Sequence, residues 1–326
     1  MSTSESFSGK MSLPDVDKLE SLETILRGSV MWNEPMSQHT SYGIGGPARA
    51  FIYPADEDDL ASVLKIAHEN TIPTYFIGSG SNLLVSDAGF DGWVISLARH
   101  FRKMRIKGTR VSAQSGTMMG HFVKECFKEN LAGVESLIGV PGTLGGAIRM
   151  NAGAYGREIS NFLKTVRVMT ITGGRKEYGK DELDFGYRTS SLSNREVICS
   201  AEFEFEKGSP QNIQLLRNQA SRSRKSTQPL RFRSAGSVFK NPSKDNTAGY
   251  LIDQAGLKGT RRGGAQISPK HANFFINHEN ASSQDIVWLI HLARRKVKEK
   301  FGIDLELEIK TLGFPPGHFD HWETAS

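Results

Sequence analysis

The chain has 326 residues, of which 38% are hydrophobic and 23% are charged, as in an ordinary folded protein with two or three domains. No stretch approaches the ~20 consecutive apolar residues of a membrane-spanning helix. The opening sequence MSTSESFSGKMSLPDVDK also lacks the apolar segment of a signal peptide. Cys126 and Cys199 form no CxxC motif, so we expect reduced thiols, a cytoplasmic location and no metal site.

The first half of the sequence predicts short strands and few helices. Residues 1–20 open with a Ser-rich stretch and are expected to be disordered. Residues 55–70 carry the strongest helix pattern, because Asp56 can cap a helix that ends before Pro73. The apolar stripe of this helix comprises Leu60, Val63, Leu64 and Ala67. Other predicted elements are a helix at 116–129 and strands at 74–77, 92–97, 110–114, 162–172 and 196–205.

The second half begins at the turn cluster Gly208-Ser209-Pro210, where we place a domain boundary. The predicted helices are 211–225, 247–255 and 282–301, and the predicted strands are 265–267 and 273–276. Ser282 or Ser283 should cap the last helix, which ends at Gly302. A final strand is predicted from the alternation of Leu305, Leu307 and Ile309 with Glu306, Glu308 and Lys310. This arrangement favours an α+β fold over a regular βαβ array.

Three glycine-rich segments, at residues 42–48, 78–82 and 135–156, are the most informative feature of the sequence. Glycine adds no packing and costs folding entropy, so its density usually means that backbone approaches a ligand closely. Apolar residues are interleaved with the glycines of the third segment, which predicts an ordered, buried loop. Small residues after a strand, as at 78–82, can form a nest of N–H groups for phosphate. The segments favour a large phosphate-bearing cofactor, although Leu83 occupies the third glycine position of a dinucleotide fingerprint.

The net charge of +6 leaves two interpretations open. A positive cleft could attract an anionic small substrate, or the basic run at residues 217–233 could bind nucleic acid. Such a run is more often a solvated helix face. It also lacks the interleaved aromatic residues of a single-strand-binding surface.

Three residues carry candidate chemistry, and each has an ordinary alternative. Arg188 has a planar fork that pairs with carboxylates, but many arginines form only surface ion pairs. Ser237 lies between small residues and could be a turn serine, since no GxSxG elbow surrounds it. The alternation of the final strand places Glu308 on the side of Glu306, facing solvent.

Six blocks of the sequence, in order between about residues 37 and 313, resemble the UDP-N-acetylenolpyruvoylglucosamine reductase (MurB) family. The blocks read SYGIGGPA, GSGSNLLVSDAGFDGWVI, GVPGTLGGAIRMNAGAYG, FGYRTS, AGSVFKNP and LELEIKTLG. The resemblance implies a two-subdomain FAD-binding fold of the vanillyl-alcohol-oxidase type, plus a C-terminal α+β substrate domain. The implied FAD region is 21–208 with a subdomain boundary near 98, the substrate domain is 209–313, and 314–326 is a flexible tail.

The same resemblance assigns roles to individual residues. Arg188 would contact the enolpyruvyl carboxylate, Ser237 would donate a proton, and Glu308 would lie in the active site, with Glu306 as the alternative. Tyr187, Lys225 and Asn241 would bind substrate. The implied FAD-binding residues are Tyr42, Gly43, Gly45, Gly78, Ser79, Gly80, Ser81, Asn82, Leu83, Gly139, Pro141, Gly142, Thr143, Gly145, Gly146, Asn151, Ala152 and Gly153.

The implied activity is the NADPH-dependent reduction, through FAD, of UDP-N-acetylglucosamine enolpyruvate to UDP-N-acetylmuramate, a peptidoglycan precursor. The interval from Arg188 to Ser237 is 237 − 188 = 49 residues, and this short interval resembles the second subtype, which lacks a tyrosine-bearing loop. The expected partner is the UDP-linked sugar, with no nucleic acid and no obligate protein partner. The alternatives are another FAD oxidoreductase of the same fold and, less favoured, a basic nucleic-acid-binding protein.

Overall fold

The structure is a computed structural model that describes residues 22–154 and 156–320. Its α-helices, after a helical turn at 22–25, are α1 Glu57–Glu69, α2 Met119–Lys128, α3 Leu144–Arg149, α4 Pro210–Thr227, α5 Ala248–Gln254 and α6 Ser283–Phe301. Short 3-10 helices lie at Met36–Gln38, Val134–Leu137, Ile159–Asn161 and Lys180–Glu182. The part of the chain that is described contains no helix long and apolar enough to cross a membrane.

The strands are short and distributed along the described chain. In order they are β1 Ser29–Pro35, β2 Pro47–Tyr53, β3 Thr74–Ile77, β4 Leu83–Val85, β5 Phe90–Ser96, β6 Met104–Lys107, β7 Arg110–Gln114, β8 Leu131–Ala132, β9 Gly153–Ala154, β10 Arg157–Glu158, β11 Leu163–Thr170, β12 Arg175–Gly179, β13 Phe185–Gly186, β14 Thr189–Ser190, β15 Glu196–Glu204, β16 Glu206–Lys207, β17 Arg233–Ser237, β18 Arg261–Arg262, β19 Ala265–Ile267, β20 Phe274–Asn277 and β21 Lys310–Leu312.

Three larger sheets organise the fold, and each has its own apolar core. The first has the order β1-β2-β5-β3, and α1 packs its predicted stripe against Trp93 and Ile95. The second has the order β12-β11-β15-β7-β6 and packs with α2 around Phe122 and Phe203. The third has the order β17-β20-β19-β18 and packs against α5 and α6 around Phe275. Burying one large apolar side chain in such a core contributes roughly 1.5–3 kcal/mol.

Two features of the backbone connect the sheets at the positions that matter for function. Strand β4 pairs in parallel with β21, with Lys310 opposite Leu83. The chain just before β21 runs alongside the end of β17, where Leu307 forms an antiparallel bridge with Phe239. The segment that carries Glu308 therefore lies between the second glycine-rich segment and β17.

The predictions that rest on local signals are confirmed. Asp56 caps α1, because its side chain accepts hydrogen bonds from the amides of Asp58 and Asp59. Ser282 caps α6, whose last residue is followed by the left-handed Gly302. The other predicted helices and strands are present with ends shifted by a few residues, whereas β1, β2 and α3 were not predicted.

Two predictions near the C-terminus differ from the structure. The alternating strand at 305–310 is not continuous, because only a bridge at Leu307 and the strand that begins at Lys310 form there. In the described part of the predicted tail, Phe314 and Phe319 pack on the third core, and Arg294 donates a hydrogen bond to the Phe319 carbonyl, while the flexibility of the tail stays a prediction. Residues 1–21 and 321–326 lie outside the described chain, and the domain boundaries near 98 and 208 stay predictions.

Candidate active site

Arg188 lies at the tip of a two-residue hairpin between β13 and β14. Its φ of 58° is in the left-handed region, which costs a non-glycine residue roughly 1–2 kcal/mol. Two hydrogen bonds hold the hairpin to the rest of the molecule. The side-chain amide of Asn151 donates to the Gly186 carbonyl at 3.1 Å. The Ser190 hydroxyl donates to the Arg149 carbonyl at 2.9 Å. Strained residues of this kind cluster at functional sites, where surrounding contacts hold them.

The Arg188 guanidinium meets the Glu308 carboxylate. Nε of Arg188 donates to Oε1 of Glu308 at 2.8 Å, and Nη1 donates to the Gly153 carbonyl at 3.3 Å. The side chains are only 24% and 15% exposed, so water screens this pair less than a surface pair. Burial raises the pKa of the Glu308 carboxyl, and the Arg188 guanidinium opposes that rise. The pair leaves part of the arginine fork available to a second carboxylate.

The structure corrects the predicted orientation of Glu308. The alternation placed it with Glu306 in solvent, but Glu306 is 71% exposed and pairs with Lys240, whereas Glu308 points inward to Arg188. The strand is interrupted between Leu307 and Lys310, so its side chains do not alternate across a single sheet. The geometry therefore supports Glu308, rather than Glu306, as the active-site glutamate that the family resemblance implies.

A backbone hydrogen bond brings Ser237 close to the Arg188–Glu308 pair. It is the last residue of β17, where the ladder to β20 shifts register between Ser234 and Ser237. The Glu308 amide donates to the carbonyl of Val238 at 2.8 Å, so the serine is adjacent in sequence to the residue that holds Glu308. Within the described chain its hydroxyl has no hydrogen-bond partner, and the preceding Gly236 would direct a Cβ into open space.

The glycine-rich segments at 78–82 and 135–156 face each other. A Cβ on Gly78 would lie 2.4 Å from the hydroxyl oxygen of Thr143. A Cβ on Gly142 would lie 2.9 Å from the Ser81 hydroxyl oxygen. Asn82 continues this contact to the catalytic candidates, because its side-chain amide donates to the Glu308 carbonyl at 3.1 Å. The three predicted regions therefore converge on one site, and glycine is needed where they approach most closely.

Two of the predicted cofactor residues are enclosed by surrounding protein. Tyr42 is completely buried in the third core. Asn151 is also completely buried, and its side chain bonds Glu158 and Gly186. Both stay predicted cofactor residues, since the backbone of a buried residue can still face a cofactor. The other predicted cofactor contacts stay predictions.

The predicted substrate residues fall into two groups. Tyr187 lies at the hairpin tip with the Arg188 guanidinium 5.1 Å from its ring centre, and its hydroxyl accepts a hydrogen bond from the amide of Asn241 at 3.5 Å. Lys225 has an exposed side chain near the end of α4, and its carbonyl accepts a hydrogen bond from Lys270. No contact of the described residues joins Lys225 to Arg188, Ser237 or Glu308.

Lys240 and Lys310 were missed by the sequence interpretation, although both lie inside the blocks AGSVFKNP and LELEIKTLG. Both lysines lower the pKa of Glu308, after the larger effects of burial and of Arg188. Burial, and then Lys240, lower the pKa of Lys310. These lysines add positive potential where an anionic ligand would enter.

Comparison with known proteins accounts for both halves of the fold. Residues 48–178 match an FAD binding domain family, and residues 228–312 match the UDP-N-acetylenolpyruvoylglucosamine reductase, C-terminal domain family. The fold and site define an FAD-binding oxidoreductase with a C-terminal α+β domain, as predicted.

Whole-chain relatives identify the family. The UDP-N-acetylenolpyruvoylglucosamine reductase of Clostridioides difficile (strain 630) is 42% identical over 90% of this chain and 96% of its own length. The UDP-N-acetylenolpyruvoylglucosamine reductase 2 of Bacillus cereus (strain ATCC 10987 / NRS 248) is 40% identical over the same shares. The crystal structure of this reductase from Thermus caldophilus aligns with a TM-score of 0.76 and 34% identity, covering 88% of this chain and 100% of that one. The chain belongs to the UDP-N-acetylenolpyruvoylglucosamine reductase family.

Proposed function

We propose that Arg188, Glu308 and Ser237 are the catalytic residues of this protein. As a member of its family it is an FAD-containing, NADPH-dependent reductase that converts UDP-N-acetylglucosamine enolpyruvate to UDP-N-acetylmuramate for peptidoglycan synthesis. The observation that carries the assignment is the 2.8 Å Arg188–Glu308 pair beside Ser237. FAD, when bound, supplies the transfer of hydride from NADPH to the substrate alkene.

Each residue of the chain has a distinct task in that reduction. The Arg188 fork binds the enolpyruvyl carboxylate, where negative charge accumulates as the alkene carbon is reduced. Glu308 holds the guanidinium in its orientation, and its raised pKa makes its protonated form accessible closer to neutral pH. Ser237 donates a proton to the adjacent carbon, assisted by nearby positive charge because a hydroxyl is a weak acid.

The residues around the facing glycine-rich segments fit a phosphate-bearing flavin nucleotide. A Cβ on Gly142 would meet the hydroxyl oxygens of Ser81 and Ser79, at 2.9 and 3.7 Å. Both serines are only partly buried, so their hydroxyls line a polar cradle that a side chain at 142 would fill. Hydroxyls and exposed amides of this type are suited to hold phosphate oxygens.

The remaining parts of the proposal concern partners and location. We infer that nucleic acid is not a partner, because contacts within the protein already use the basic run. Arg217 lies 5.8 Å from the centre of the Phe127 ring, and Arg224 donates to the Ile138 carbonyl.

A cytoplasmic location is supported by Cys126 and Cys199, which are buried and unbridged. The second-subtype assignment rests on the 49-residue interval from Arg188 to Ser237.

The flavin itself provides the first test. We expect the purified protein to be yellow and to release FAD into the supernatant on acid precipitation, because the proposed contacts are all non-covalent. The supernatant spectrum and flavin fluorescence measure the released fraction. A colourless protein that cannot be reconstituted with FAD would refute the proposal, whereas flavin that stays with the precipitate would indicate a covalent bond and refute the non-covalent site.

Replacing Lys225 with alanine tests the least secure substrate residue. We expect an increased KM for the enolpyruvyl nucleotide or a reduced kcat, with unchanged flavin content, because loss of a substrate contact leaves the FAD segments intact. Lys65→Ala is the matched control, since Lys65 is a helical lysine with a side chain 69% exposed. Identical kinetics in the Lys225 and Lys65 variants would make Lys225 a solvated surface residue.

A further inference from the structure

Arg233 is an exposed arginine whose guanidinium lies on the backbone of another part of the molecule. It is the first residue of β17 in the third sheet, yet its side chain reaches Gly43 in the first glycine-rich segment. A Cβ on Gly43 would lie 2.0 Å from Nη1 and 3.1 Å from Cδ of Arg233. Gly43 also has a φ of 66°, a left-handed conformation that favours glycine.

Hydrogen bonds next to a buried side chain hold the backbone segments that carry Arg233 and Gly43. Asn277 pairs with Arg233 in the β17–β20 ladder, and its side-chain amide donates to the carbonyl of Tyr42 at 2.9 Å. The Tyr42 side chain is completely buried beside this sheet. The same asparagine therefore holds the backbone of Arg233 close to the backbone of Tyr42, the residue before Gly43.

The first glycine-rich segment is also connected to the second. The amide of Ser41 donates to the carbonyl of Gly80 at 3.0 Å, and a Cβ on Gly80 would lie 2.0 Å from the carbonyl oxygen of His39. Gly43 is two residues from this contact. The Arg233 guanidinium thus lies beside the backbone that is expected to hold the cofactor phosphates.

Within the described chain, the Arg233 guanidinium makes no ion pair and no hydrogen bond. Other arginines of the molecule show the usual alternative, since Arg49 pairs with Asp91 and Arg110 pairs with Glu204. A guanidinium without a carboxylate partner has its planar fork available to an external anion. Phosphate is an anion whose oxygens match the planar fork of an arginine through two parallel hydrogen bonds.

We propose that Arg233 binds a phosphate group of a nucleotide cofactor that lies along Gly43. The inference rests on the proposed function and adds to it a cofactor contact supplied by the substrate domain. The phosphate can belong to FAD or to NADPH, because both present the same chemistry to the guanidinium. Charge-assisted hydrogen bonds of this kind typically change affinity by roughly tenfold to a hundredfold.

The test compares Arg233→Gln with the wild-type holoenzyme. Dilution of each protein, with released FAD followed by flavin fluorescence, measures the FAD dissociation constant. Steady-state assays measure the KM values for NADPH, NADH and the enolpyruvyl nucleotide. Arg231→Gln is the matched control, because Arg231 is an exposed arginine two residues away in the turn before β17. Arg233→Lys, which keeps the charge but not the fork, should give an intermediate effect and provides a milder variant if the glutamine variant folds poorly.

A tenfold or greater increase in the FAD dissociation constant assigns the phosphate to FAD. An equal increase in the KM for NADPH, with the KM for NADH unchanged, assigns it to the extra phosphate of NADPH. The inference is wrong if the FAD dissociation constant and the KM for NADPH both stay within twofold of the Arg231→Gln control. It is also wrong if only the KM for the enolpyruvyl nucleotide rises. Wild-type protein without FAD or reductase activity would instead refute the proposed function, so the two failures are distinguishable.

Discussion

Replacing Ser237 with alanine should separate the two half-reactions of the enzyme. Reduction of the flavin by NADPH should proceed at close to the wild-type rate, because that step needs no proton from the serine. Reoxidation by the enolpyruvyl substrate should slow by about 10²–10⁴-fold, the usual contribution of a positioned general acid. Stopped-flow absorbance of the flavin measures both steps. The substitution removes one hydroxyl and little volume, so folding and flavin content should be retained.

Ser234→Ala is the matched control for this experiment, because Ser234 lies three residues earlier on β17 and undergoes the same change. It should leave both half-reactions near the wild-type rate. Equal slowing of both steps in Ser237→Ala would show that the serine positions the flavin or the fold, and the proton would then come from another group. Wild-type rates in both steps would make Ser237 an ordinary turn serine.

Replacing Arg188 with lysine should reduce turnover by about 10²–10³-fold, comparable to removing one donor that stabilises developing negative charge. Lysine retains the positive charge but loses the planar fork that can contact Glu308 and a substrate carboxylate together. Because both residues carry a Cβ, the backbone strain at this position should not change. Flavin content should stay at the wild-type level, and kcat and kcat/KM for the enolpyruvyl nucleotide measure the loss.

Arg195→Lys serves as the control, since Arg195 is exposed and lies seven residues after Arg188. It should behave as wild type. Wild-type turnover in Arg188→Lys would remove Arg188 from the site, and loss of flavin from the variant would mean that the hairpin supports the cofactor rather than the substrate.

Elements of the fold that are defined by interactions between residues close in the sequence could be predicted, and elements defined by distant partners could not. Helix α1 and the cap of α6 follow from signals within a few residues, such as the Asp56 side chain on the next amides, and these predictions were confirmed. Strands β1 and β2 were missed because their pairing partners, rather than their own composition, define them. Helix α3 was missed because its glycines predicted a loop, although they allow close packing against Ser115.

The site was predictable only in part from local pattern. Periodicity assigned Glu308 to solvent, because alternation assumes an uninterrupted strand and this segment is interrupted. Its inward orientation depends on Asn82, which lies 226 residues earlier, and on Arg188, which lies 120 residues earlier. The family blocks pointed to the residue that local pattern missed. The same blocks include Tyr42 and Asn151, which are completely buried, and their assignment to the cofactor stays a prediction.

The left-handed conformation of Arg188 has a consequence for engineering this enzyme. A design procedure that scores only backbone strain would favour glycine at this position, since glycine adopts positive φ without a steric penalty. That choice would remove the guanidinium and leave the Glu308 carboxylate buried without its partner. Stabilising mutations should therefore be sought away from the hairpin tip, for example at the exposed left-handed Asn33. Position 188 is one at which backbone strain alone selects glycine, whereas the buried ion pair and the proposed activity select arginine.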